Sequence, residues 1–342
     1  MSRRYSQFSH IRSEGGLLPP ELLDRISRFD QTLPGLKADD YHLNINRRLN
    51  EKIEQSWKEV LSNWNVFQQR ADEDQQVTRT TLTRERWLLP LFQELGYGRL
   101  QQANIRQLNN REYPISHEWN GLPLHLLGAG VDLDRRNPGV SGAARQSPHS
   151  MMQQFLNASE NHHWGLLSNG FKLRILRDST RLTRQAYVEF DLYSILEGEV
   201  YSDFALLWLL CHQSRLENGG DLECWLEHWS KEAQEQGTQA LDKLRDGVQR
   251  SLEHLGAGFI RHPQNKQLVQ KLESGELPGL VFYGQLLRLV YRLLFLCVAE
   301  DRDLLHPEES EETSRQYYHD FFSLTHLRNL AEKVRGSSHH DL

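Results

Sequence analysis

At 342 residues the chain exceeds one compact core and is expected to hold more than one domain. With 38% hydrophobic and 25% charged residues it can bury a core and stay soluble. Forty basic against 46 acidic residues give a net charge of −6, which excludes a globally basic nucleic-acid binder but leaves room for a local basic face.

The opening "MSRRYSQFSHIRSEGG" lacks the apolar run of a signal peptide, so a cytoplasmic location is expected. Pro19-Pro20 precede a short helix, "ELLDRISRF", and a long polar helix is expected from about Asn44 to Arg70. Its apolar positions Leu49, Ile53, Trp57, Val60, Leu61 and Trp64 recur at helical spacing. A polar break, "ADEDQQVTRTTLT", follows. Thr81 or Thr83 is expected to cap the helix "RERWLLPLFQELG", which Gly96 ends.

From Tyr97 to Leu192 short apolar runs alternate with Gly, Pro and Asn. "LPLHLLGAGVDLD" predicts a buried strand, and Ser147-Pro148 a cap and first-turn proline for the helix "HSMMQQFLNAS". Trp164 to Leu167 and Phe171 to Leu176 predict a hairpin whose Asn169-Gly170 turn suits type I′, with positive φ at both residues. "QAYVEFDL" supplies a further strand. Strand, helix and hairpin together define an α/β arrangement. Beyond Tyr201 nearly everything is helical. The most apolar run, "LLRLVYRLLFLCVAE", is interrupted by Arg288 and Arg292 and is not expected to span a bilayer. The polar close "RGSSHHDL" looks like a connection to something further on.

The odd set Cys211, Cys224 and Cys297 argues against a disulfide framework and fits a reducing compartment. Cys211-His212 with Cys224 and His228 has poor zinc spacing and lies in apolar helical patterns, so no metal site is expected there. Asp132 and Asp134, with Glu118 upstream, form the candidate Mg²⁺ carboxylates; the competing reading is an acidic strand end neutralised by Arg135 and Arg136. Lys172, Arg174, Arg177, Arg181 and Arg184 form a basic strip, with Lys172 and Arg174 on the strand face opposite Phe171, Leu173 and Ile175. The strip is a candidate phosphate contact or a solvated sheet face. Arg288 and Arg292 are expected to serve Glu300 or Asp301.

The assembled segments "SPHSMMQQFLNAS", "HHWGLLSNGFKLRILRDSTRLTRQAYVEFDL" and "LLRLVYRLLFLCVAEDRDLL" resemble the front part of type IIG-like restriction–modification adenine-N6 DNA methyltransferases. Methylases of phage-defence systems such as DISARM and BREX belong with them. The resemblance covers roughly residues 87 to 342. The helical pattern ahead of it gives an N-terminal helical extension over 1–80, and the resemblance implies a degenerate PD-(D/E)xK-type, nuclease-like α/β domain over 81–200. A mostly α-helical connector over 201–342 would lead into a methyltransferase. In active relatives, aspartate and Glu-x-Lys groups on adjacent strands hold Mg²⁺ and orient water. Here Ile115 stands at the aspartate position, and His125 and Leu127 at those of glutamate and lysine, so cleavage is not expected from them. Gln153 and Gln154 are expected to keep a DNA-contacting role. The only Asn-Pro pair, Asn137-Pro138, is followed by Gly139, and no cofactor motif is present, so S-adenosylmethionine belongs to a partner or missing domain. The expected function is a non-catalytic module that contacts double-stranded DNA and docks a methyltransferase subunit or defence protein. The alternatives are a divergent Mg²⁺-dependent endonuclease, and an interaction scaffold that does not touch DNA.

Overall fold

The computed structural model describes residues 8–44, 48–73, 79–140, 142–178, 186–217, 221–302, 304–307 and 310–333, without the side chains of 71–73, 240 and 332–333. It divides into two units, one over Ser6–Glu235 and the other over Gln236–Leu342 with Met1–Tyr5. The N-terminal helices therefore share a unit with the strands, whereas the sequence divides the chain at 80 and 200.

Among the described residues the larger unit contains nine strands: β1 (Ile11–Glu14), β2 (Gln101–Gln102), β3 (Arg106–Leu108), β4 (Arg111–Tyr113), β5 (His117–Trp119), β6 (Leu122–Leu126), β7 (Trp164–Ser168), β8 (Lys172–Arg177) and β9 (Tyr187–Asp191). Seven form a mixed sheet in the order β1-β9-β8-β7-β6-β5-β2, while β3 and β4 pair as a separate two-stranded ribbon. Only β6 and β7 are parallel, and the helix Pro148–Ala158 (α5) lies in the connection between them. The rest of the sheet is antiparallel.

Alternation along the strands separates two apolar layers. Leu122, Leu124, Leu126, Leu166, Leu173, Ile175, Val188 and Phe190 belong to a core shared with helices α1 (Pro20–Ser27), α2 (Leu49–Glu73), α4 (Leu89–Glu94), α6 (Leu192–Glu197) and α7 (Tyr201–Cys211). On the opposite face Leu167, Leu176 and Tyr187 pack with Met151, Met152, Phe155 and Leu156 of α5. The sheet is covered on both sides, which accounts for the near-continuous apolar strands.

Three local differences from the sequence expectation have physical causes. The helix before α4 already includes Arg79–Thr83 (α3), so neither Thr81 nor Thr83 is its cap; the Thr83 hydroxyl donates to the Arg79 carbonyl and accepts from the Ala129 amide. It passes through a π-helical turn over Arg84–Leu88, just before Pro90, which has no N–H to offer an i−4 carbonyl. In the β7–β8 turn only Gly170 has positive φ (84°), the glycine-first pattern of a type II′ loop. Asn169 is held differently, its Oδ1 accepting from the Phe171 and Lys172 amides and its Nδ2 donating to the Val131 carbonyl.

In the second unit, the helix α8 (Trp225–Arg261), which starts in the first unit, is followed by Lys266–Glu273 (α9), Gly279–Asp301 (α10), Glu312–Phe321 (α11) and Leu324–Lys333 (α12). By length and composition α10 is long and apolar enough to cross a membrane, with mean hydropathy 1.6, although Arg288 and Arg292 lie within it. Glu300 does not take these arginines. It accepts from Tyr318 Oη and from the Leu324 and Thr325 amides, and so caps α12.

Candidate functional site

On the α5 side of the sheet, register aligns His125, Leu167, Arg174, Glu189 and Arg12 as successive cross-strand neighbours. The centre of this row is a closed ion network. Arg174 is 2% exposed. Its Nε donates to Glu189 Oε2 at 2.5 Å, and Nη1 and Nη2 donate to the two Asp134 oxygens at 2.7 Å each. Nη1 also meets His149 Nδ1 at 3.1 Å, and the guanidinium lies 4.7 Å from the Tyr187 ring centre. Burial opposes the charge on Arg174, but the hydrogen bonds and fields of Asp134 and Glu189 outweigh it and hold the group above its ordinary pKa. Hydrogen bonding to Arg174 in turn holds Asp134 low. Since Arg174 can only donate, His149 Nδ1 is the acceptor and a neutral His149 carries its proton on Nε2.

The remaining basic residues of the hairpin are also engaged. Lys172 is partly exposed and reaches Glu189 Oε1 at 2.9 Å. Arg177 forks onto Glu227 at 2.8 and 2.9 Å, and Trp164 Nε1 donates to the same carboxylate at 3.2 Å. Arg181 and Arg184 lie outside the described residues. The strip thus differs from an open sheet face at Arg174, because α5 and the loop after β6 cover that side. Glu227 is wholly buried, so Glu227→Gln is expected to cost about 2 kcal/mol, the value of charge-assisted hydrogen bonds lost. Urea unfolding monitored by tryptophan fluorescence measures this, and an unchanged midpoint would count against the assignment.

The candidate carboxylates are likewise occupied. Asp132 Oδ1 accepts from the Asp134 amide at 2.8 Å, and Asn137 Oδ1 accepts from the Asp132 amide at 3.0 Å. Arg135 approaches Asp132 at 3.8 Å. Glu118 accepts from Arg106 Nη2 at 2.6 Å. Arg106 Nη1 donates to His162 Nε2 at 2.6 Å, so the Nδ1 proton of neutral His162 points to Ser159 Oγ, also at 2.6 Å. A serine that accepts from histidine is not being deprotonated by it, so this chain of groups is no nucleophile–base pair. Among the described residues no group of three His, Cys, Asp or Glu side chains stands together to hold a metal ion.

The positions at which the resemblance implies nuclease groups are all buried. Ile115 and Leu127 are part of the apolar layer under α5, and His125 is 1% exposed with its ring against Gly142. Gly142, at φ 81°, lets the loop close over the His125 ring: a Cβ there would lie 2.6 Å from Cε1. Burial, then the charge of Arg84, pushes the His125 pKa down to about 4. Gln153 donates to the Arg177 carbonyl at 2.9 Å and to Asn157, whereas Gln154 faces solvent. Cys211 and Cys224 are buried free thiols; burial pushes Cys224 up to about 12 and Cys211 well above its usual value, so neither is a ready nucleophile.

The sequence reading did not single out the loop from Val131 to Gln146 as a basic surface. Arg136 and Arg145 are exposed there beside Arg135, at the carboxyl end of β6 and next to the β7–β8 turn through Asn169. Three arginines within eleven residues of a strand-to-helix connection was the available signal. Comparisons with protein-family models, curated proteins and solved structures find no match to this chain.

Proposed function

We propose that the chain is a non-cleaving, nuclease-like module that contacts the backbone of double-stranded DNA and works beside an adenine-N6 methyltransferase of a restriction–modification or phage-defence system. The observation that carries DNA contact is the exposed trio Arg135, Arg136 and Arg145 on the loop joining β6 to α5. Carboxyl ends of parallel strands are where open α/β sheets hold ligands, and exposed guanidinium groups neutralise phosphates. Lys172, partly exposed at the adjacent turn, adds a fourth cation, while Arg174 and Arg177 shape the surface from below. Non-cleavage is supported by what fills the expected carboxylate and lysine positions: Ile115 and a buried neutral His125 in place of the carboxylates, and Leu127 in place of the lysine. S-adenosylmethionine would belong to the partner.

Docking of that partner falls to the helical unit. Its buried apolar cluster contains Leu252, Leu286 and Val290, whereas Leu280, Tyr291, Phe295, Tyr317 and Phe322 are exposed. So little internal burial favours a surface completed by another protein.

The test is duplex-DNA affinity across a salt series. Changing Arg135, Arg136 and Arg145 together to alanine is expected to weaken low-salt binding about 10-fold or more and to lower the log–log salt slope by about 3, close to one per phosphate contact. Equal binding by the triple variant, or no binding by the unaltered chain, would sink DNA contact. Mg²⁺-dependent plasmid nicking that disappears in Asp134→Ala would overturn the non-cleaving half and restore the endonuclease.

A further inference from the structure

The β3–β4 ribbon stands outside the main sheet, and none of its outer residues is needed by the core. Leu108 and Arg111 flank a two-residue turn, Asn109-Asn110, in which both residues are left-handed (φ 51° and 59°), the type I′ geometry that asparagine tolerates best after glycine. Register sets the faces. Arg106 and Tyr113 are one cross-strand pair, and Tyr113 packs on Phe155 with ring centres 5.5 Å apart. Leu108 packs against the same apolar layer. Leu108 pairs with Arg111, and the middle pair, Gln107 and Glu112, lies on the opposite face of the ribbon from Tyr113 and Leu108; both are exposed, as are Asn109, Asn110 and Arg111.

We propose that this ribbon enters the major groove of duplex DNA and reads base edges, which makes the module sequence-selective. The inference rests on the DNA contact proposed above and deepens it. Three observations converge. First, the outward groups are those that discriminate bases: glutamine and asparagine pair with the N6/N7 edge of adenine, and glutamate accepts from the N4 amine of cytosine. Second, the dimensions agree. Two strands about 5 Å apart and three residues long, roughly 10 Å, fit a groove about 12 Å wide and 8.5 Å deep. Third, the ribbon is tied to the basic loop: Arg111 Nη2 donates to Gln146 Oε1 at 2.6 Å, and the Pro114 carbonyl lies against Gly142. The ribbon is thereby joined to the loop that carries the exposed arginines. Ile105, 61% exposed at the base of the ribbon, is suited to contact a thymine methyl. The outward face offers no aromatic anchor of the kind that dominates protein interfaces.

Selection from a randomised duplex pool by the full chain, with sequencing of the retained fraction, tests the assignment. The unaltered chain is expected to enrich a short motif. Gln107→Ala with Glu112→Ala is expected to abolish enrichment at two or more positions, about 10-fold discrimination at each, while affinity for the unselected pool and its salt slope stay within about twofold. Asn109→Gly with Asn110→Gly, which keeps a turn that needs positive φ, is expected to relax the motif without altering thermal unfolding. Salt-sensitive binding without enrichment, or an unchanged motif in both variants, overturns base reading and leaves backbone contact standing. Failure of the unaltered chain to bind DNA overturns both.

Discussion

Arg174→Ala is expected to remove about 3–5 kcal/mol of stability, the loss typical when one member of a buried ion network is deleted. The substitution takes four hydrogen-bond donations from a site that is 2% exposed and strips Glu189 and His149 of their shared partner. Domains of this size have about 5–15 kcal/mol in total, so the melting temperature should fall by about 10 °C. Asp134→Asn should be milder, because the Asp134 side chain is 54% exposed and water can solvate what remains. Thermal unfolding followed by near-UV circular dichroism measures both. A variant at Arg174 that melts with the unaltered chain would show that the network does not hold the sheet and the Asp134 loop together. The same reasoning fixes how DNA data are interpreted: lost binding in an Arg174 variant reports a collapsed loop unless folding is shown to be intact.

Acid should unfold the protein above the usual carboxylate range. Burial, followed by nearby arginines, lowers His117, His125 and His149 to about 4, and burial with Arg215 lowers His212 to about 3, each from an ordinary 6.5. All four are at most 5% exposed. A histidine with a depressed folded-state pKa binds its proton first in the unfolded chain. Its stabilisation is complete above pH 6.5 and declines as pH falls from 6.5 towards 4. At up to about 3 kcal/mol apiece, four such groups match the whole stability of a domain, placing cooperative unfolding between about pH 5.5 and 4. Asp134, whose pKa is lowered by Arg174, extends the loss further down. Melting temperatures from pH 8 to 4 test this, and His125→Leu should flatten the curve by removing one proton uptake. A melting temperature constant to pH 4.5 would refute it.

Which parts of this were legible in the sequence follows from the range of the forces involved. The apolar runs of β7 to β9, the Ser147 cap and the Pro148 start rest on neighbours within a few residues and fall where local pattern placed them, whereas the strand expected over residues 122–134 ends at Leu126, and the chain turns into a loop through Gly128 and Gly130. Alternation also separated Lys172 and Arg174 from Leu173 and Ile175. What alternation does not carry is which side is open. The partners that bury Arg174 are Asp134, forty residues earlier, and Glu189, on the next strand. Strand β1, "IRSE", has one buried apolar residue and sits at the sheet edge, so it has no strand signature to find. The ribbon was findable: Asn109-Asn110 between two short runs is a hairpin signal, hidden by the polar character of the strands themselves.

The placement of β1 has a consequence for how the molecule is made. Residues 11–14 pair with residues 187–190, and the His10 amide is held by Asp203. β1 thus waits for β9, and its sheet edge closes only after about 170 intervening residues have been synthesised. Trimming the chain ahead of Gly15 would leave β9 as a bare rim able to recruit a foreign strand, so shortened versions are prone to self-association even where every groove-facing residue is retained.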